Sequence, residues 1–302
     1  MLHSVAGGRV DAARFARDAS VYQLNARLAL RFEAAGRLTR LRADIQEPPW
    51  KVVRAFRQKG GGALVHLHNV SGGILAGDCL SLHIEVGAGA SAQVTTTGAT
   101  RLYRHGSSAV PSEQRTVITV GEGGLLEYLP DMLIPFSGSR HVQRTNVRLA
   151  DRASLFWWEV LAPGRQAMGE VFAFDSLRLE TRVRSADRPL VLESFLLEPR
   201  RRSMESAARM GSYLHTATFY AIQIGRPAAE LRDLESKLNE IAREISRPGA
   251  MIWGASALAS DGVVVRGLAA TARDIPATLA RFWNLARRFL TGEYAVPPRK
   301  MK

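Results

Sequence analysis

"NVSGGILAGDCLSLHIEVGAGASAQVTTTGATRLYR" runs from Asn69 to Arg104. Its glycines either cradle a phosphate or turn the backbone between strands, and the two readings lead to different folds. A Walker-type loop needs a Lys-Ser or Lys-Thr after its last glycine, because the lysine reaches the phosphates and the hydroxyl holds Mg²⁺. Gly77 is followed by Asp78 and Cys79. A dinucleotide loop opens a helix whose N-terminal amides hold the pyrophosphate. Downstream of Gly77, Leu80, Leu82, Ile84 and Val86 alternate with Ser81, His83 and Glu85. That period of two marks a half-buried strand. The carboxylate of Asp78 would also repel a phosphate. The glycines are therefore read as turns, and the chain as β-rich.

Outward from this stretch, alternation continues. Leu24, Ala26, Leu28, Leu30 and Phe32 share one face, with Asn25, Arg27, Arg31 and Glu33 opposite. Leu177, Leu179 and Val183 alternate with Arg178, Glu180, Arg182 and Arg184, and Leu214, Thr216, Thr218, Tyr220, Ile222 and Ile224 share another face. Each reads as an antiparallel-type strand with one wet side. A weak repeat joins three segments: "LHIEV-GAGA-SAQVT", "TVITV-GEGG-LLEYL" and "TNVRL-ADRA-SLFWW", with turns beginning at Gly87, Gly121 and Ala150. A spacing of about thirty residues suggests stacked, similar β units, as in solenoids.

Two helices are expected in the C-terminal third. Over Pro227–Ser246, Leu231, Leu234, Leu238, Ile241 and Ile245 fall at alternating steps of three and four. Asp274 is placed to cap a second helix with Leu279, Phe282, Leu285, Ala286 and Phe289 on one face, ended by Gly292. The stretch Glu198–Ser212, "EPRRRSMESAARMGS", reads as a long basic loop that is mobile or folds against a partner. Residues 1–20, broken by Arg9, Asp11, Arg14, Arg17 and Asp18, read as a loose tail; 21–302 reads as a single β-rich domain.

The chain has 302 residues, one cysteine (Cys79) and a net charge of +13. No apolar run approaches the ~20 residues of a membrane span. A lone cysteine excludes an intramolecular disulfide and fits a reducing cytosol. The charge implies an acidic partner, nucleic acid or an anionic surface. It is spread along the chain, densest at Arg200-Arg201-Arg202 and at Arg299–Lys302, without zinc-finger spacing or an aromatic-rich RNA-binding signature.

Candidate chemistry is sparse. His66 and His68 share one strand face and could form half of a metal site or be two surface histidines. Cys79 and His83 have no second cluster to complete a closed site. There is no Gly-x-Ser-x-Gly elbow and no His-Glu-x-x-His pair. More informative are three glutamates set between apolar neighbours: Glu127 in "LLEYL", Glu159 in "FWWEVL" and Glu193 in "LVLESFLL". A carboxylate buried there is costly unless paired, hydrogen-bonded or metal-bound. Either arginines pair with them, or they line an interior path for a cation.

Three segments together resemble the urease accessory protein UreD (UreH) family: "GGILAGDCLSLHIEVGAGASAQVTTTGATRLYR", "GLLEYLPDMLIPFSGSR" and "LFWWEVLAPGRQAMGE". Gly72, Gly73, Gly77 and Asp78 match the family's glycine-rich turn, and Thr95, Thr96, Ala99, Thr100, Tyr103 and Arg104 match its Thr-Thr segment. Leu125–Pro130 matches its Leu-Glu-aromatic-Leu-Pro, and Trp157, Trp158, Glu159, Gly164 and Arg165 match its Trp-Trp-Glu…Gly-Arg. The chain departs from the pattern at Ala76, Cys79, Arg101 and Asp131-Met132. The resemblance implies a β-helix-like stack of sheets with no enzymatic activity and no bound nucleotide. It implies work with UreF, the GTPase UreG and urease apoprotein, two copies in a larger complex, a cytoplasmic location, and transient Ni²⁺ moving past Asp78, Glu127, Glu159 and Glu193. Two other classes stay open: a basic nucleic-acid-binding β protein, and a β-helical carbohydrate-active enzyme, which would need a paired acid and base.

Overall fold

The computed structural model describes residues 24–105 and 110–298. The tail expected at 1–20 and the basic run Arg299–Lys302 lie outside the described residues. The chain begins with β1 (Asn25–Ala35), β2 (Leu38–Gln46), β3 (Trp50–Lys51), β4 (Ala55–Arg57) and β5 (Ala63–Asn69). Its middle run comprises β6 (Cys79–Val86), β7 (Ser91–Thr96), β8 (Thr100–Leu102), β9 (Ser112–Val120), β10 (Leu125–Leu129), β11 (Leu133–Pro135), β12 (Arg140–Leu149) and β13 (Ser154–Leu161). The last third holds β14 (Ser176–Ser185), β15 (Arg188–Leu197), β16 (His215–Gln223), α1 (Ala228–Ile245), β17 (Met251–Ala257), β18 (Gly262–Ala269) and α2 (Ile275–Thr291).

The middle strands pass alternately between two sheets. One has the order β15-β14-β12-β9-β6-β1-β2, the other β17-β18-β16-β13-β10-β7-β5-β3. Strands β1, β6, β9, β12 and β14 run parallel to one another, as do β5, β7, β10 and β13. Each pass up one sheet and over into the other is one coil of a β-helix, closed at its far edges by antiparallel strands.

The repeat read from the sequence is this coil. Its turns stack directly on one another: Gly121 N–H donates to the Val86 carbonyl at 2.7 Å, and Ala150 N–H to that of Val120 at 2.9 Å. The stacking leaves little room for side chains. A Cβ at Gly124 would sit 2.9 Å from the Gly121 carbonyl oxygen and 3.0 Å from that of Gly87.

Two expectations need correcting. β1 and β14 each pair in parallel on one side, because they continue the coil. β16 has no wet side: Tyr220 and Ile222 face the inter-sheet core, while Ala217, Phe219 and Ala221 pack under the helices.

The helices cover the outer face of the second sheet. Leu231, Leu234 and Leu238 of α1 and Leu279, Phe282 and Trp283 of α2 are buried there. Each such burial contributes about 1.5–3 kcal/mol. Gly292 ends α2 with φ 78°, but the Asp274 side chain makes no capping hydrogen bond. Among the described residues no helix is long and apolar enough to cross a membrane. Segment Glu198–Ser212 folds on its own chain, held by the buried Met204 and Met210.

Candidate functional site: two cavities between the sheets

Inward-facing residues of the first sheet form rungs across the coils. Ile118, Val147, Val183 and Val191 make one apolar rung. The next is Thr116, Thr145, Thr181 and Glu193, and beyond it lie Gln114 and Gln143. Facing them on the second sheet are the rung Tyr128, Trp157, Tyr220 and the rung Glu159, Thr218, Arg266. One end of the sandwich interior is thus hydrocarbon, and the other mixes polar groups with Leu179 and Phe195, which continue the rung of Gln143.

Two cavities occupy the mixed end, the larger one lined by more apolar than polar side chains. One of about 290 Å³ runs inward from Gly72, Gly73 and Arg101 past Gln114, Thr116 and Thr145. The other, about 850 Å³, is lined by Thr181, Glu193, Thr218 and Arg266 and reaches both terminal strands, β15 and β17. Leu133, Gln143, Glu159 and Val160 line both.

Glu159 sits at that junction. One carboxylate oxygen accepts from Gln143 Nε2 at 2.9 Å. Burial above all, with the neighbouring Glu193 charge adding to it, pushes the Glu159 pKa up to about 7 against the opposing Gln143 bond. Glu193 accepts from Arg266 Nη2. Burial and the same two carboxylates raise the Tyr220 phenol. Glu159 can therefore change charge near neutral pH, and it offers exchangeable oxygen donors.

The four carboxylates singled out in the sequence do not form one set. Glu159 and Glu193 come together. Glu127 points to the opposite face of the second sheet, is 2% exposed, and lines neither cavity. Its oxygens accept from Arg287 Nε at 2.7 Å, Trp283 Nε1 at 3.0 Å and Gln93 Nε2 at 2.8 Å. Its burial agrees with the alternation of its strand, but its neighbours on that face are α2 side chains. Asp78 is buried outside both cavities and accepts from Leu75 N–H at 2.8 Å, as a turn former does.

The remaining motif residues build the frame around the first cavity. Tyr103 packs so closely on Gly73 that a Cβ there would lie 2.4 Å from the ring. The Tyr103 ring meets Phe136 edge-on at 5.1 Å, and the Arg165 guanidinium lies 4.3 Å over Phe136. Arg165 Nε donates to Glu170 at 2.8 Å, with Arg104 adding charge beside that carboxylate and Gly164 turning the chain just before it. Thr95 Oγ1 donates to the Leu129 carbonyl at 2.6 Å, and Thr96 Oγ1 accepts from Asp131 N–H at 2.8 Å. Trp158 Nε1 donates to the Pro130 carbonyl at 2.8 Å, while Trp157 stacks on Tyr220 at 5.2 Å. Gly72 and Gly77 adopt φ 80° in the turn.

His66 packs edge-on against Phe56 at 5.7 Å, and His68 pairs in register with Lys51. Among the described residues no group of three or more His, Cys, Asp or Glu side chains could hold a metal ion. Sequence reading missed Gln114, Gln143, Thr116, Thr145 and Thr181. A signal was present: the triplet Gln-Arg-Thr recurs at 114–116 and 143–145, in the register of the repeat.

The family model of the UreD urease accessory protein matches residues 24–302. A urease accessory protein UreD of Herpetosiphon aurantiacus is 40% identical over 279 residues, covering 92% of this chain and 97% of that one. One of Sorangium cellulosum is 35% identical over 264 residues, covering 87% and 80%. With its whole described length matched by the family model, the chain belongs to the UreD urease accessory protein family.

Proposed function

We propose that this protein is a non-catalytic scaffold in urease maturation, through which Ni²⁺ passes to urease apoprotein in concert with UreF and the GTPase UreG. The nucleotide belongs to UreG, and the phosphate-loop chemistry that Asp78 and Cys79 exclude is not required here. The same reading implies two copies in a larger assembly and a cytoplasmic site of action.

The observation that carries it is Glu159, shared by the linings of both cavities. A passing ion needs sites attractive enough to enter and weak enough to leave. Glu159, Glu193, threonine hydroxyls and glutamine carbonyls supply oxygen donors without a closed His/Cys cage, which would hold the ion. Glu127 and Asp78 are better read as structural, since, unlike Glu193, they lie outside both cavities and are held there by Arg287 and a backbone amide.

Glu159→Gln tests the proposal, because it keeps the shape and the Gln143 contact region while removing the charge. Co-expressed with urease and the other accessory proteins, the variant is expected to fold and assemble normally. Urease activation is expected to fall several-fold. Full activation with normal assembly would sink the role of the junction.

A further inference from the structure

The two edges of the first sheet are not alike. β2, at one edge, presents Arg40, Arg42 and Asp44 to solvent. Such charges blunt an edge strand against pairing with another chain. Among the described residues β15, at the other edge, pairs with β14 alone, and the one charge in its central part, Glu193, turns to the larger cavity and Arg266. There it exposes Leu192 (74%), Phe195 (48%) and Leu196 (51%). Contiguous exposed apolar side chains on an unguarded strand mark an interaction surface. Phe195 stands at the larger cavity, and Ile252 of β17 is exposed across from it.

The charges around this strand select the occupant. Arg182 and Arg178 lie in register beside Leu192 and Leu196 on β14. The segment after β15 adds the exposed Arg200, Arg201, Arg202 and Arg209. A second copy of this chain would bring the same arginines into opposition, and its net charge of +13 adds repulsion. A segment of opposite charge gains most from Arg182, Arg202 and Arg209, since Arg178, Arg200 and Arg201 already face Glu180, Asp175 and Glu198.

We infer that β15 accepts an added strand from a partner protein: an extended acidic segment that also carries apolar side chains. Its backbone would pair with the free edge of β15. Its inward side chains would sit beside Phe195 at the cavity mouth, and its carboxylates would meet the surrounding arginines. Backbone pairing supplies the affinity in this mode, and alternate side chains supply the specificity.

The test uses the isolated full chain and a fluorescent peptide alternating glutamate with valine, matched in length to β15. The control peptide has lysine in place of glutamate. The acidic peptide is expected to bind, to weaken as salt rises, and to protect the amides of residues 190–197 from hydrogen exchange. Leu192→Glu/Leu196→Glu is expected to bind it at least ~tenfold more weakly, with an unchanged thermal melt. Leu192→Thr/Leu196→Thr gives the same readout with strand-forming residues, should the glutamate pair disturb folding. Equal binding of the lysine peptide, binding without protection of 190–197, or no binding at all would overturn the inference. So would self-association of the chain that protects the same amides, since the occupant would then be a second copy. The measurement contains no nickel, so failure of the cargo reading at Glu159 leaves its result intact.

Discussion

Glu159 and Glu127 carry the same side chain in similar sequence surroundings, yet they differ in what compensates their burial. Glu159 has one amide donor and a nearby like charge, so its pKa rises from 4.5 to about 7. The folded state then binds the proton more tightly than the unfolded chain. That stabilisation is complete below the unfolded value and is lost as pH rises through the folded one. The gap is worth at most about 3 kcal/mol. Glu159→Gln has no such proton to lose. Thermal melts of the two proteins should therefore diverge between about pH 5 and about pH 8, the native protein falling further; parallel curves would mean that the carboxyl is solvated. Glu127 is held by Arg287, itself 9% exposed. Glu127→Gln strands that guanidinium and is expected to cost about 3–5 kcal/mol, seen as a sharp drop in melting temperature. Residual urease activation should follow the amount of folded protein, which is how a structural partner differs from a conduit.

At the scale of elements, turns fix the coil. Gly121 and Gly124 lie against the turn beginning at Gly87, where a Cβ would meet backbone atoms that cannot swing aside. Gly124→Ala is expected to destabilise by about 1–3 kcal/mol. Gly98→Ala is the control, since nothing lies within 4 Å of its added Cβ and its φ is not positive. Chemical denaturation of the pair should separate them; equal stability would mean that the stack has slack. The strands, the three turns and both amphipathic helices were legible in the sequence, because periods of two and 3.6 and glycine at tight turns are local signals. Parallel pairing was not legible. β1 and β14 alternate as an antiparallel strand would, since one face is wet in both arrangements. β16 looked half-wet because Thr216 and Thr218 are polar, but those hydroxyls face a cavity.

For the whole molecule, burial of the glutamates could be read from their neighbours, but the face of each sheet they join could not. Whether Glu127 meets a helix or a cavity depends on where α2 lands, some 160 residues away in sequence. Glu159 and Glu193 meet across the two layers for the same non-local reason, and the threonine rung between coils exists only once the strands stack in parallel. The continuity of that interior is itself testable. Thr181 is buried, lines the larger cavity, and lies in register with Glu193. Thr181→Phe would place a ring in open space, so its cost should stay below the about 1–3 kcal/mol of an overpacked core. If an ion moves through both cavities, the ring narrows the route, and urease activation should fall while the melt and assembly with the other accessory proteins stay normal. Combined with Glu159→Gln, the loss should be less than the sum of the two, because both changes obstruct one route. Additive losses would mean two independent effects. Full activation by Thr181→Phe would mean that the larger cavity lies off the path, leaving the cavity bounded by Gly72 and Arg101 as the ion's way in and out.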